Sequence, residues 1–76
     1  MSKEKARFTI YVSMDGRPAV IAGAAASLPA AIAQCERAIE AGLQVYARGY
    51  GADPAVDVWS VYDEREAVTR WRSDRP

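Results

Sequence analysis

The sequence predicts an α+β domain of order β-β-α-β-β, a four-stranded antiparallel sheet with one helix packed on one face. Three observations predict it. Apolar and polar residues alternate from Arg7 to Met14, and Asp15-Gly16 follows. An apolar stripe at helical spacing begins at Leu28. Val56 to Arg72 alternates again and holds both tryptophans. The 76 residues make a single small domain, with 1–6 and 73–76 expected as flexible tails.

The first strand places Phe8, Ile10, Val12 and Met14 on one face and Arg7, Thr9, Tyr11 and Ser13 on the other. Asp15-Gly16 favours a type I′ turn, whose two central residues need positive φ. With those two as the loop, Val12 faces Ala19, Ile10 faces Ile21 and Phe8 faces Gly23. Ile21 then points inward and Val20 lies beside Tyr11 on the outer face. Pro18 donates no ladder bond and suits an edge strand or a strand start.

The small residues Ala22 to Ala26 let the chain leave the sheet closely packed. Ser27 is a good N-cap, with Pro29 tolerated in the first turn. Leu28, Ile32, Cys35 and Ile39 then form one stripe, with Gln34, Glu36, Arg37 and Glu40 mostly away from it. Gly42 could end the helix and leave Leu43, Val45 and Ala47 as a strand. Against that, Leu43, Tyr46 and Tyr50 continue the stripe at about 100° per residue, so the helix is predicted over 28–48. It spans roughly 30 Å and should overhang the sheet, carrying Tyr46 and Tyr50 to its rim. Gly49, Gly51, Asp53 and Pro54 form a breaker-rich loop.

The closing hairpin has a loop of two or four residues around Glu64-Arg65. It pairs Val58 with Trp71, Ser60 with Thr69 and Tyr62 with Ala67 on one face. Asp57 meets Arg72, Trp59 meets Arg70 and Val61 meets Val68 on the other. Val56, Val58, Tyr62 and Trp71 are taken as inward. The uncovered face would then carry Thr9, Tyr11, Val20, Asp57, Trp59, Val61, Val68, Arg70 and Arg72, much aromatic and branched surface to leave in water.

Composition bounds the function. There is no histidine, and Cys35 is the single cysteine, so neither an internal disulfide nor a Cys/His zinc site can be built. Carboxylates are scattered without the spacing of a calcium loop, and neither a metal nor a cofactor is expected. No apolar run reaches the roughly 18 residues of a membrane span, MSKEKAR is no signal segment, and a cytoplasmic protein without membrane association is expected. A core this small rarely yields more than roughly 3 to 5 kcal/mol, which makes a homodimer a default.

Ten basic and ten acidic residues cancel. Lys3, Lys5, Arg7 and Arg17 near the start and Arg70, Arg72 and Arg75 near the end would form a weakly basic patch if the end strands lay together. That falls short of the basicity of a nucleic-acid protein.

No catalytic constellation is present, and the chain is not expected to be an enzyme. Cys35 on the apolar stripe reads as a buried structural thiol. Asp63, Glu64 and Glu66 read as solvated residues of a hairpin tip. Gly49-Tyr50-Gly51 lacks the lysine and spacing of a phosphate loop. Tyr11 and Trp59 beside Arg70 and Arg72 could stack single-stranded nucleic acid, but the same types are enriched at protein interfaces. Zero net charge, with Asp57 inside the patch, favours a protein partner. The partner-binding set is therefore Tyr11, Asp57, Trp59, Arg70 and Arg72, with Tyr46 and Tyr50 as neighbours.

The stretches YVSMDGRPAVIAG, SLPAAIAQCERAIEAG and VWSVYDEREAV give a layout that resembles small phage and mobile-element proteins, including some anti-CRISPR inhibitors. The opening strand-strand-helix order also resembles HicB-type antitoxins, without their aromatic and glycine-rich signature after the first hairpin. What the first resemblance implies is a mode of action: stoichiometric blocking of a larger protein or ribonucleoprotein defence complex, without catalysis. No functional residue is carried over from it.

Overall fold

The computed structural model describes residues 6–49 and 53–74. Tyr50 lies outside them, as do residues 1–5 and 75–76 of the expected tails. The elements are β1 (Phe8–Ser13), β2 (Val20–Ala25), α1 (Leu28–Ala47), a single 3-10 turn (Pro54–Val56), β3 (Val58–Asp63) and β4 (Val68–Arg72). The strands form one antiparallel sheet of order β2-β1-β3-β4 with α1 against one face, the α+β layout the sequence predicts. The first and last strands do not lie together, because β3 sits between them.

The Asp-Gly turn forms as its chemistry dictates. Asp15 and Gly16 have φ of 51° and 73°, and the Arg17 N–H donates to the Met14 carbonyl at 3.0 Å. Beyond it the predicted register fails. The Ser13 hydroxyl donates to the Arg17 carbonyl at 2.6 Å, Pro18 has no N–H to offer, and pairing resumes with Val12 opposite Val20 and Tyr11 opposite Ile21. One residue of slip exchanges faces. Ile21 joins Tyr11 on the uncovered face and Val20 moves to the helix side, and on this edge strand they remain 69 % and 51 % exposed. A bulge then skips Ala22 and sets Gly23 opposite Ile10 and Ala25 opposite Phe8. The helix comes close at Gly23: a Cβ there would stand 3.2 Å from Gln34 Oε1.

The Ser27 hydroxyl caps α1 by accepting the Ala30 N–H at 3.3 Å. The helix runs through Gly42, as the continued stripe predicts, and stops where Gly49 takes φ 87° and donates to the Tyr46 carbonyl at 2.9 Å. Ala31 and Cys35 are buried, with Leu28 and Ile32 partly so. Towards its C-terminus Leu43 and Tyr46 are 47 % and 45 % exposed, and Gly42 lies beside Pro54 of the 3-10 turn. Phe8, Ile10, Ala25, Ala31, Cys35 and Val61 make the core, with Trp59 and Trp71 packed against it.

The largest departure is in β3. β1 fixes its faces by pairing Phe8 with Asp63, Ile10 with Val61 and Val12 with Trp59. Asp63, Val61 and Trp59 therefore look toward the helix, while Val58, Ser60 and Tyr62 look away. This reverses the predicted inward pair Val58 and Tyr62 and the predicted outward pair Trp59 and Val61. Val56 lies in the 3-10 turn and is exposed. Trp71 is inward as predicted, opposite Val61.

The hairpin loop has four residues, Glu64 to Ala67, one position later than predicted, and Asp63 pairs with Val68 and Tyr62 with Thr69. A bulge at Arg70 then brings Trp71 opposite Val61 and Arg72 opposite Ser60. Ser73 belongs to the fold rather than to a tail. Its N–H donates to the Trp59 carbonyl at 2.8 Å, and its hydroxyl accepts the Trp59 N–H at 2.9 Å.

Candidate binding face and the carboxylate that orients it

Asp63 explains why β3 lies as it does. Its side chain is fully buried at the end of the strand, where an unpaired carboxylate would be prohibitive. Five donors converge on it. Arg7 forms a bidentate pair, Nε to Oδ1 at 3.0 Å and a terminal nitrogen to Oδ2 at 2.9 Å. Arg70 Nε reaches Oδ2 at 3.1 Å, and the Arg65 and Glu66 N–H groups donate to Oδ1 at 3.0 and 3.2 Å. The Arg7 guanidinium, with the Glu66 amide, Arg70 and the Arg65 amide, holds the carboxyl well below the usual carboxylate range, although burial pushes it upward. The same pair raises the pKa of Arg7, whose guanidinium also lies 5.1 Å from the centre of the Phe8 ring. Asp63 is therefore not the solvated tip residue that the sequence predicts. It ties Arg7, just before the first strand, to Arg70 of the last.

With Asp63 inward, the face away from α1 acquires Tyr62. Its ring meets Tyr11 edge to face, centroids 6.4 Å apart at 84°. Ile21 pairs with Tyr11 on one side, and Thr69 pairs with Tyr62 on the other. The Thr9 hydroxyl donates to Glu64 Oε2 at 2.8 Å along one margin. Across the tyrosine pair, Ser13, Ala19, Val58, Ser60, Thr69 and Arg72 line a depression. No element among the described residues covers this face.

The predicted site residues are divided by this arrangement. Tyr11 lies on the uncovered face. Arg72 also lies there, opposite Ser60, but its guanidinium is held bidentately by Asp74 at 3.0 and 2.8 Å. Trp59 does not: it packs against the core. Arg70 is turned to Asp63, and Asp57 ends the 3-10 turn, its N–H donating to the Pro54 carbonyl at 3.1 Å. The predicted Trp59–Arg70 and Asp57–Arg72 pairs therefore do not form. Tyr46 is exposed in the last turn of α1, the helix that packs on the opposite face of the sheet. Sequence reasoning missed Tyr62, Val58 and Ile21. The signal that could have found them is Arg7 immediately before Phe8: a cation at that point calls for a carboxylate opposite, and Asp63 supplies it.

Burial raises the pKa of the Cys35 thiol, in keeping with a structural role on the inner face of α1. Among the described residues no group of three or more acidic, cysteine or histidine side chains is placed to hold a metal ion. Among the same residues no helix is long and apolar enough to cross a membrane. Compared with family models, curated proteins and solved structures, the chain has no significant match to any.

Proposed function

We propose that this chain is a non-enzymatic protein-binding module acting in the cytoplasm, and that the uncovered sheet face seats its partner. The observation that carries the reading is the half-buried Tyr11–Tyr62 pair on that face, which no described element covers, flanked by Ile21 and Val58. Rigid aromatic side chains with a polar tip, set among branched apolar residues, are what protein interfaces concentrate at their centre. The cations weigh against nucleic acid as the ligand: Arg7 and Arg70 are committed to Asp63 and Arg72 to Asp74, while Glu64 adds negative charge at the margin. A phosphate backbone would meet those carboxylates beside each guanidinium, which offsets its attraction. The layout resemblance to phage-borne inhibitors supplies the specific form, a stoichiometric block of a host defence complex.

Binding to purified host defence ribonucleoproteins, with their cleavage activity as a second readout, tests this. Saturable binding with loss of activity is expected. Tyr11→Ala with Tyr62→Ala should weaken it by at least about 30-fold, as a central hot spot does. Unchanged affinity in the double variant would remove the face from the reading. Tight binding to labelled RNA or DNA that falls steeply with salt would replace the protein partner by a nucleic acid.

A further inference from the structure

The two edges of the sheet are unlike. β4 carries Arg70 and Arg72 within the strand, with Asp74 just beyond it. Charges of this kind keep an edge from pairing with another chain. β2 reads VIAGAA, and no charged residue occurs between Arg17 and Glu36. Bulges interrupt both edges, so charge is what separates them. Nothing among the described residues pairs with the free side of β2. The one group engaged near it is the Ala24 carbonyl, which accepts from Gln34 Nε2 at 3.2 Å, leaving Val20 to Gly23 open.

We propose that this open edge pairs antiparallel with the same edge of a second copy, about a two-fold axis, so that the two sheets become one. A second copy is the occupant that the chemistry favours. In a two-fold interface every residue meets the same patch of its twin, so any charge there lies close to its like. An edge without charge pairs with itself at no such cost, whereas it offers a charged partner strand nothing to match. Val20 and Ile21, opposite Val12 and Tyr11, stand on opposite sides of the strand, and both are largely exposed. Pairing along the edge covers both at once, while a dimer formed through the tyrosine face covers only Ile21. The pairing also places two tyrosine faces side by side on one sheet, yet its evidence is the edge and not that face.

Sedimentation equilibrium on the full chain, from low micromolar to submillimolar concentration, is the test. The wild type should dimerise reversibly. Val20→Lys and Ile21→Lys should each raise the dimer dissociation constant by at least about tenfold. Thr69→Lys on the other edge and Tyr62→Lys on the open face should leave it unchanged. Far-ultraviolet dichroism checks that each variant is folded, and hydrogen exchange at Val20 to Ala22 should slow as the wild-type concentration rises. A wild type that stays monomeric overturns the proposal. So does a dimer that responds to Ile21→Lys and Tyr62→Lys but not to Val20→Lys.

Discussion

At the scale of single residues, Asp63 decides more than any tryptophan. Its carboxyl titrates below the value of about 3.9 that an aspartate has in an unfolded chain. The stability linked to it is therefore complete above that unfolded value and is lost as pH falls toward the folded one. Urea titrations should show wild-type stability declining from about pH 5 to pH 2, and Asp63→Asn should flatten that decline while lowering stability at neutral pH. A variant with the same acid slope as wild type would mean that Arg7 and Arg70 do not hold the carboxylate. The residue was legible as chemistry but not as position. An aspartate beside two further carboxyl-bearing residues looks like a solvated turn until Arg7, 56 residues away, is placed opposite.

At the scale of elements, local signals served where local physics decides. The Ser27 cap, the run of α1 through Gly42 and the Asp-Gly turn are all set by residues within a turn of one another. Gly16→Ala, at φ 73°, should cost about 1 kcal/mol in thermal or denaturant unfolding. Ser27→Ala should cost about as much. Equal stability of Gly16→Ala and wild type would mean that the turn is not type I′. Pairing was less legible, because period-two alternation fixes which residues share a face without saying which face is inside. Pro18, the skipped Ala22 and the bulge at Arg70 each shift the ladder by one residue. None announces itself as a local pattern, and each shift reverses a face.

At the scale of the molecule, the layers were readable and the surface was half readable. Tyr11 was placed correctly because β1 alternates cleanly, whereas Trp59 and Tyr62 were exchanged because the hairpin was read without its neighbour β1. The exchange has a measurable consequence. Trp59→Ala should destabilise the fold by about 3 kcal/mol, the lower end for a tryptophan packed on a core. Tyr62→Ala on the open face should cost less than Trp59→Ala, since it removes the ring contact with Tyr11, worth about 0.5–1.5 kcal/mol beyond the area buried, without opening the core. Denaturant melts of the two variants decide the assignment, and the reverse ranking would restore Trp59 to the surface.

The order β2-β1-β3-β4 also bears on how the protein is made. During synthesis β1 and β2 leave the ribosome first, as a hairpin that is marginal at best in water. The strand that completes β1 on its other side, and the Arg70 that completes the pair on Asp63, emerge only after the whole of α1. Productive folding must then wait until β3 and β4 have followed, with the uncharged β2 strand exposed meanwhile. A chain stalled short of β3 should therefore be a substrate for chaperones or proteases rather than a smaller version of the same domain.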